Sequence, residues 1–148
     1  MDKVKAKADL PVSINLENGN PIMLVISDTK ISETLKKGLQ ALNVNVVYMK
    51  DHMNEYEKLL WAADMMLLLC EEPGKYLHDA WQNEVVPIAT THADKVKNYN
   101  PNKEKGNCFA FDDDNPWTVF AAIVRALETH KFPYDWKHIV KQSQKDLL

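Results

Sequence analysis

The chain has 148 residues, 45% of them hydrophobic and 26% charged, with a formal net charge of -3 at neutral pH. That length suits one packed domain and excludes two of ordinary size, while the mild negative charge, without a basic face carrying interleaved aromatics, excludes a general attraction for nucleic acid. No apolar run is long enough to span a bilayer, and Met1-Asp2-Lys3-Val4-Lys5 alternates charge without an apolar signal region, so the expectation is a cytoplasmic protein with no membrane partner.

Residues 1–20 read as an N-terminal extension or an edge strand. Leu10-Pro11-Val12-Ser13-Ile14-Asn15-Leu16 alternates apolar and polar, and Asn18-Gly19 is a turn signal that would fold the segment back towards Ile22. Residues 21–148 read as one domain. Ile22-Met23-Leu24-Val25-Ile26-Ser27 is its first strand, and Ile31, Leu35, Leu39 and Leu42 then recur at helical spacing, predicting a helix over 32–42 with Asp28 or Thr29 as candidate N-cap. The β-branched run over 44–49 is a second strand. Tyr56, Leu59, Leu60 and Ala63 put an apolar stripe on a second helix, which Asp64 ends.

Met65-Met66-Leu67-Leu68-Leu69-Cys70 is continuously apolar, as a central parallel strand buried on both faces must be, and its carboxyl end delivers Glu71 and Glu72. Pro73-Gly74 forces a turn into a helix bearing Tyr76, Leu77, Ala80 and Trp81, followed by a strand over 85–89 and a polar loop over 90–107. Phe109-Ala110-Phe111 is the last strand. Asp114 or Asn115 then caps a helix with Pro116 at its first position and Trp117, Phe120, Ala121, Val124 and Leu127 as its expected buried stripe. A final helix is expected over 134–144. Strands alternating with helices predict an α/β fold, a Rossmann-like parallel sheet with helices on both faces.

Seventeen of the eighteen basic residues are lysines and the remaining one is Arg125, so phosphate binding would rest on lysine or backbone rather than on an arginine clamp. Cys70 and Cys108 have neither metal-site nor redox-pair spacing and read as reduced thiols. His52, His78, His92, His130 and His138 are scattered, and no metal site is expected. Asp112-Asp113-Asp114 is read as a loop leading into a helix cap.

Taken in order, the strand ending at Ser27, Ala62-Ala63-Asp64 before the central strand, Glu72-Pro73-Gly74, the strand containing Pro87, Asn100-Pro101, Gly106 and Phe109-Ala110-Phe111-Asp112 resemble the carboxyl-terminal domain of starch and glycogen synthases. The similarity covers residues 20–148 and continues through Trp117, Ala121, Ala126-Leu127, Trp136 and Gln144-Lys145-Asp146, which look like the family's terminal helices. The resemblance implies one half of a GT-B glycosyltransferase. In that family two Rossmann-like domains face each other across a cleft, and the carboxyl-terminal one holds the nucleotide diphosphate sugar.

The implied ligand is a nucleotide or nucleotide sugar of the ADP-glucose or UDP-glucose class, and the implied partner is a separate amino-terminal glycosyltransferase domain. The family motif after the central strand is Glu-Pro-Cys-Gly-Leu, whose acid contacts the donor sugar. Glu72 matches that acid, although this chain lacks the intervening cysteine. Glu72, Gly74 and Lys75 are thereby the implied sugar and phosphate contacts, joined by Thr90 and Thr91 in the turn after the Pro87 strand. The alternative for Glu71 and Glu72 is simply a pair of acids opening a helix whose dipole favours them.

Three departures limit what the resemblance implies. The family's Thr-Gly-Gly turn is replaced by Thr90-Thr91-His92-Ala93, which removes backbone access to a ligand, and His92 is read as a surface loop residue. Near Gly106 the family's Gly-Thr-Gly gives way to Asn107 and Cys108. The arginine and lysine that neutralise the donor pyrophosphate precede the first strand seen here and have no counterpart, and half a cleft cannot position two substrates.

The expectation is therefore a nucleotide-sugar-binding domain that does not transfer glucose alone, with no catalytic residue, metal or cofactor assigned. Alternatives are a non-catalytic binding or regulatory module on the same fold, or a receiver-like or nucleoside-processing α/β domain. A receiver domain would want an aspartate where Cys70-Glu71 stands and a lysine after the last strand.

Overall fold

A computed structural model describes residues 2–11 and 14–147. Five strands, β1 Ile22–Ser27, β2 Asn45–Tyr48, β3 Met65–Leu69, β4 Val86–Thr90 and β5 Phe109–Phe111, form one sheet in the order β2-β1-β3-β4-β5. Every pairing is parallel. Between and around the strands lie helices α1 Lys3–Ala8, α2 Glu33–Gln40, α3 Tyr56–Ala62, α4 Gly74–Gln82, α5 Pro116–His130 and α6 Pro133–Asp146. The arrangement is α/β and Rossmann-like, as the alternation of apolar runs predicts.

Parallel strands need crossovers, and the crossovers cover both faces because successive side chains of each strand point opposite ways. Ile22, Leu24, Ile26, Met66 and Leu68 face one core with Leu59 and Leu60 of α3 and Leu77 and Trp81 of α4. Met23, Val25, Met65 and Leu67 face the other, with Leu35 and Leu39 of α2, Val119 and Ile123 of α5 and Ile139 of α6.

Two local expectations differ from the structure. The N-cap of α2 is Ser32, whose hydroxyl accepts from the Leu35 amide at 3.1 Å, while Asp28 reaches across to another strand end. On α5 the buried residues are Val119, Ala122, Ile123 and Ala126, whereas Trp117 is 70% exposed and Ala121 is also exposed. The segment over 116–127 is apolar on more than one side, so periodicity offers two stripes. The sheet takes the one with small Ala122 and Ala126, which lets the helix approach closely. Asn115 caps α5 by accepting from the Trp117 amide at 2.9 Å.

The segment expected as an edge strand, 10–16, includes Val12 and Ser13, which lie outside the described residues. Among the described residues of 1–20 the regular element is α1. The stretch that follows is stapled to the sheet by Asn45, whose Oδ1 accepts from the Glu17 amide at 2.7 Å and whose Nδ2 donates to the Glu17 and Asn20 carbonyls.

Helix α1 is fastened at the amino ends of the strands through Asp64, which is 7% exposed. Its Oδ2 accepts from the Ile22 amide at 2.9 Å and from Lys7 Nζ at 3.0 Å, and His130 Nε2 lies 3.6 Å from Oδ1. Burial alone would raise the Asp64 carboxyl, but the interactions with His130, the Ile22 amide and Lys7 outweigh it and hold the carboxyl below its ordinary value. A carboxyl depressed by folding contributes stability that is present above its unfolded value, about pH 4, and lost as the pH falls through the folded one. Lys7→Gln is expected to flatten the acid limb of a urea-midpoint profile below about pH 4. Identical acid limbs in wild type and variant would show that the Lys7 contact adds nothing.

Candidate functional site

In a doubly wound sheet the connections on either side of a switch point leave for opposite faces, opening a crevice at the carboxyl ends of the strands. Here that point lies between β1, which leads into α2 on one face, and β3, which leads into α4 on the other. A crevice of about 440 Å³ occupies it, bounded by Ser27, Asp28, Cys70, Glu71, Thr90 and Asp114 among others.

Asp28 ties the two strand ends together, its Oδ2 accepting from the Glu71 amide at 3.0 Å. Ser27 Oγ donates to the Thr29 carbonyl at 2.6 Å, which folds the loop after β1 into a compact turn. Thr90 Oγ1 accepts from the His92 amide at 3.3 Å, and the Thr91 hydroxyl lies 3.2 Å from Asp112 Oδ1. The walls carry three carboxylates, Asp28, Glu71 and Asp114, against Lys30 as the one ammonium. Such a crevice offers acceptors to hydroxyl groups and supplies little positive charge to stabilise a departing diphosphate.

The expected site residues are not brought together. Thr90 lines the crevice and Thr91 sits beside it on the β4 turn, but Glu72, Gly74 and Lys75 are exposed at the entry to α4 and outside the crevice wall. The acid that does line it is Glu71, one residue earlier. Gly74 is not required by packing, since a Cβ there would meet nothing within 4 Å. His92 is exposed, as expected of a surface loop. Asp28, expected as a candidate helix cap, instead lines the crevice: an aspartate just after the first strand of an α/β chain signals the switch point as readily as a helix cap.

Nucleophilic chemistry finds little here. Burial, with the Asp28 charge behind it, pushes the Cys70 thiol up, and burial pushes the Cys108 thiol up to about 12. Both stay protonated near neutral pH. Arg125 is a structural clasp: Nη2 donates to the Ala110 carbonyl at 2.8 Å and Nη1 to Asn98 Oδ1 at 3.2 Å. Among the described residues no three His, Cys, Asp or Glu side chains converge as a metal site, and no helix is long and apolar enough to cross a membrane. No family model and no curated protein matches the chain.

Proposed function

We propose that the chain is a starch/glycogen synthase-like carboxyl-terminal domain that acts as a cytoplasmic binding module and does not transfer glucose alone. The observation that carries this reading is the switch-point crevice, where Thr90 and the carboxylates of Asp28 and Glu71 present acceptors suited to the hydroxyls of a nucleotide-linked sugar. Three features count against catalysis. The lone arginine is committed to Ala110 and Asn98, the crevice is acidic, and β1 pairs directly with β3 from Met23↔Met65 to Ser27↔Leu69. The six-stranded dinucleotide order 3-2-1-4-5-6 would place a further strand between those two, and here that place is closed.

Titration with ADP-glucose and UDP-glucose at millimolar concentration is expected to shift the amides of Ser27, Cys70, Glu71 and Thr90, and Thr90→Val to reduce the response. No shift at any of these amides would remove the donor-binding reading. Glucan extension by the isolated chain is expected to be undetectable.

One observation favours a second reading. Receiver-like domains share the order β2-β1-β3-β4-β5. Against it, β3 runs into Cys70 rather than an aspartate, and Asp112 rather than a lysine follows β5. Incubation with acetyl phosphate is therefore expected to leave the mass of the protein unchanged.

A further inference from the structure

The turn over 27–31 has a second flank, facing β2 rather than β3. A separate cavity of about 570 Å³ lies there, and its walls carry Lys30 from the turn, Lys36 from α2 and Lys50 from the segment after β2, together with Tyr48, Asp28 and Asp51. Among the described residues none of these lysines is in an ion pair, although other lysines of the chain are, such as Lys7 with Asp64 and Lys97 with Asp146. Of the two acids, Asp28 is already accepting from the Glu71 amide. Lys36 Nζ stands 5.9 Å from the centroid of the half-buried Tyr48 ring.

Three lysines, from the turn after β1, from α2 and from the segment after β2, line one cavity against Asp28 and Asp51, an excess of one positive charge in a chain whose net charge is -3. Mutual repulsion among them is relieved by an anion. The aromatic ring beside them supplies a flat apolar surface on which a planar ring stacks.

We propose that this cavity binds a small phosphomonoester carried on a ring, with Lys30, Lys36 and Lys50 receiving the phosphate and Tyr48 receiving the ring. Lysine is a point-charge donor rather than a bidentate fork, so it suits a compact dianion that presents several oxygens. The cavity shares the 27–31 turn with the acidic crevice but opens on its β2 flank, and it does not depend on the sugar-donor reading, which is tested at Cys70, Glu71 and Thr90.

The test is an amide-shift titration of the full chain with inorganic phosphate and with adenosine monophosphate at low ionic strength. Both are expected to move the amides of residues 28–31 and 48–51, with adenosine monophosphate binding more tightly. Lys36→Gln and Lys50→Gln are each expected to weaken binding about fivefold, the worth of one unit charge at about 4 Å in water. Lys141→Gln, an exposed lysine on α6 outside the cavity, is expected to leave it unchanged. Tyr48→Leu is expected to bring adenosine monophosphate down to the affinity of phosphate. The proposal is overturned if neither ligand moves those amides, if Lys141→Gln weakens binding as much as Lys36→Gln, or if the two ligands bind wild type equally.

Discussion

Gly106→Ala is expected to be the most damaging single-methyl change in the chain, lowering stability by about 4 kcal/mol, or the melting temperature by about 10 °C. Gly106 has φ +134°, a conformation that L residues rarely adopt, and a Cβ there would stand 2.4 Å from Tyr99 Cα and 2.6 Å from Tyr99 N. Both neighbours are backbone, so no rotamer change relieves the clash.

To make room, the strip around Tyr99 must lift away from Cys108, breaking the Tyr99 amide bond to the Cys108 carbonyl at 2.8 Å. The adjoining Asn98 side chain, which accepts from the Ala110 amide at 2.9 Å and from Arg125, would be drawn off the β5 edge with it. Gly74→Ala is the matched control. Its methyl meets nothing within 4 Å and sits at the first position of α4, so its effect is expected to stay within about 0.5 kcal/mol of neutral or to stabilise. Equal melting temperatures for the two variants would refute the close-approach explanation.

Asp64→Ala is expected to cost about 3 kcal/mol, because it leaves groups on three segments without their acceptor. The Ile22 amide opens β1 and is buried, Lys7 anchors α1, and His130 lies at the end of α5. Asp64→Asn keeps an oxygen for the Ile22 amide while removing the charge that Lys7 faces, so it is expected to recover about half of the loss. Chemical denaturation measures the totals, and amide exchange at Ile22 locates the loss, since that proton should exchange faster in the alanine variant than in the asparagine variant. Unfolding free energies within about 0.5 kcal/mol of wild type would mean that the Asp64 contacts are energetically idle.

The strands were legible because a strand buried on both faces leaves a continuous apolar run, and Met65 to Leu69 can be little else. Helix α1 was read as part of an extension or edge strand, but helices α2 to α6 were legible too, with Asp114 or Asn115 offered as the α5 cap before Pro116. The face that α5 turns inward was not, since a helix apolar on several sides encodes two stripes and only the neighbouring sheet chooses between Trp117 and Val119. Of the residues around the crevice, Thr90 was legible, whereas Asp28 and Glu71 were not. Glu72 drew attention through its Pro-Gly neighbours, yet the pairing of β1 with β3 sets Asp28 opposite Glu71, a contact 43 residues apart that local pattern cannot express. The lysine cavity was equally hidden: Lys30, Lys36 and Lys50 look like ordinary surface charges until the strand order brings their elements to one end of the sheet.

The all-parallel pairing has a consequence for how the chain acquires its structure. No hairpin can start the sheet, because Met65 pairs with Val86 and Ile88 with Phe109, each 21 residues apart, and Met23 pairs with Met65, 42 residues apart. Loop-closure entropy must be spent before any strand contact returns it. Refolding from denaturant is therefore slow compared with a helical bundle of the same length, and through that lag the apolar stretch 65–69 lies open to other copies of the chain. Dilute, cold refolding should return more monomer than concentrated, warm refolding, since intermolecular capture of an unpaired strand rises with concentration while the intramolecular search does not.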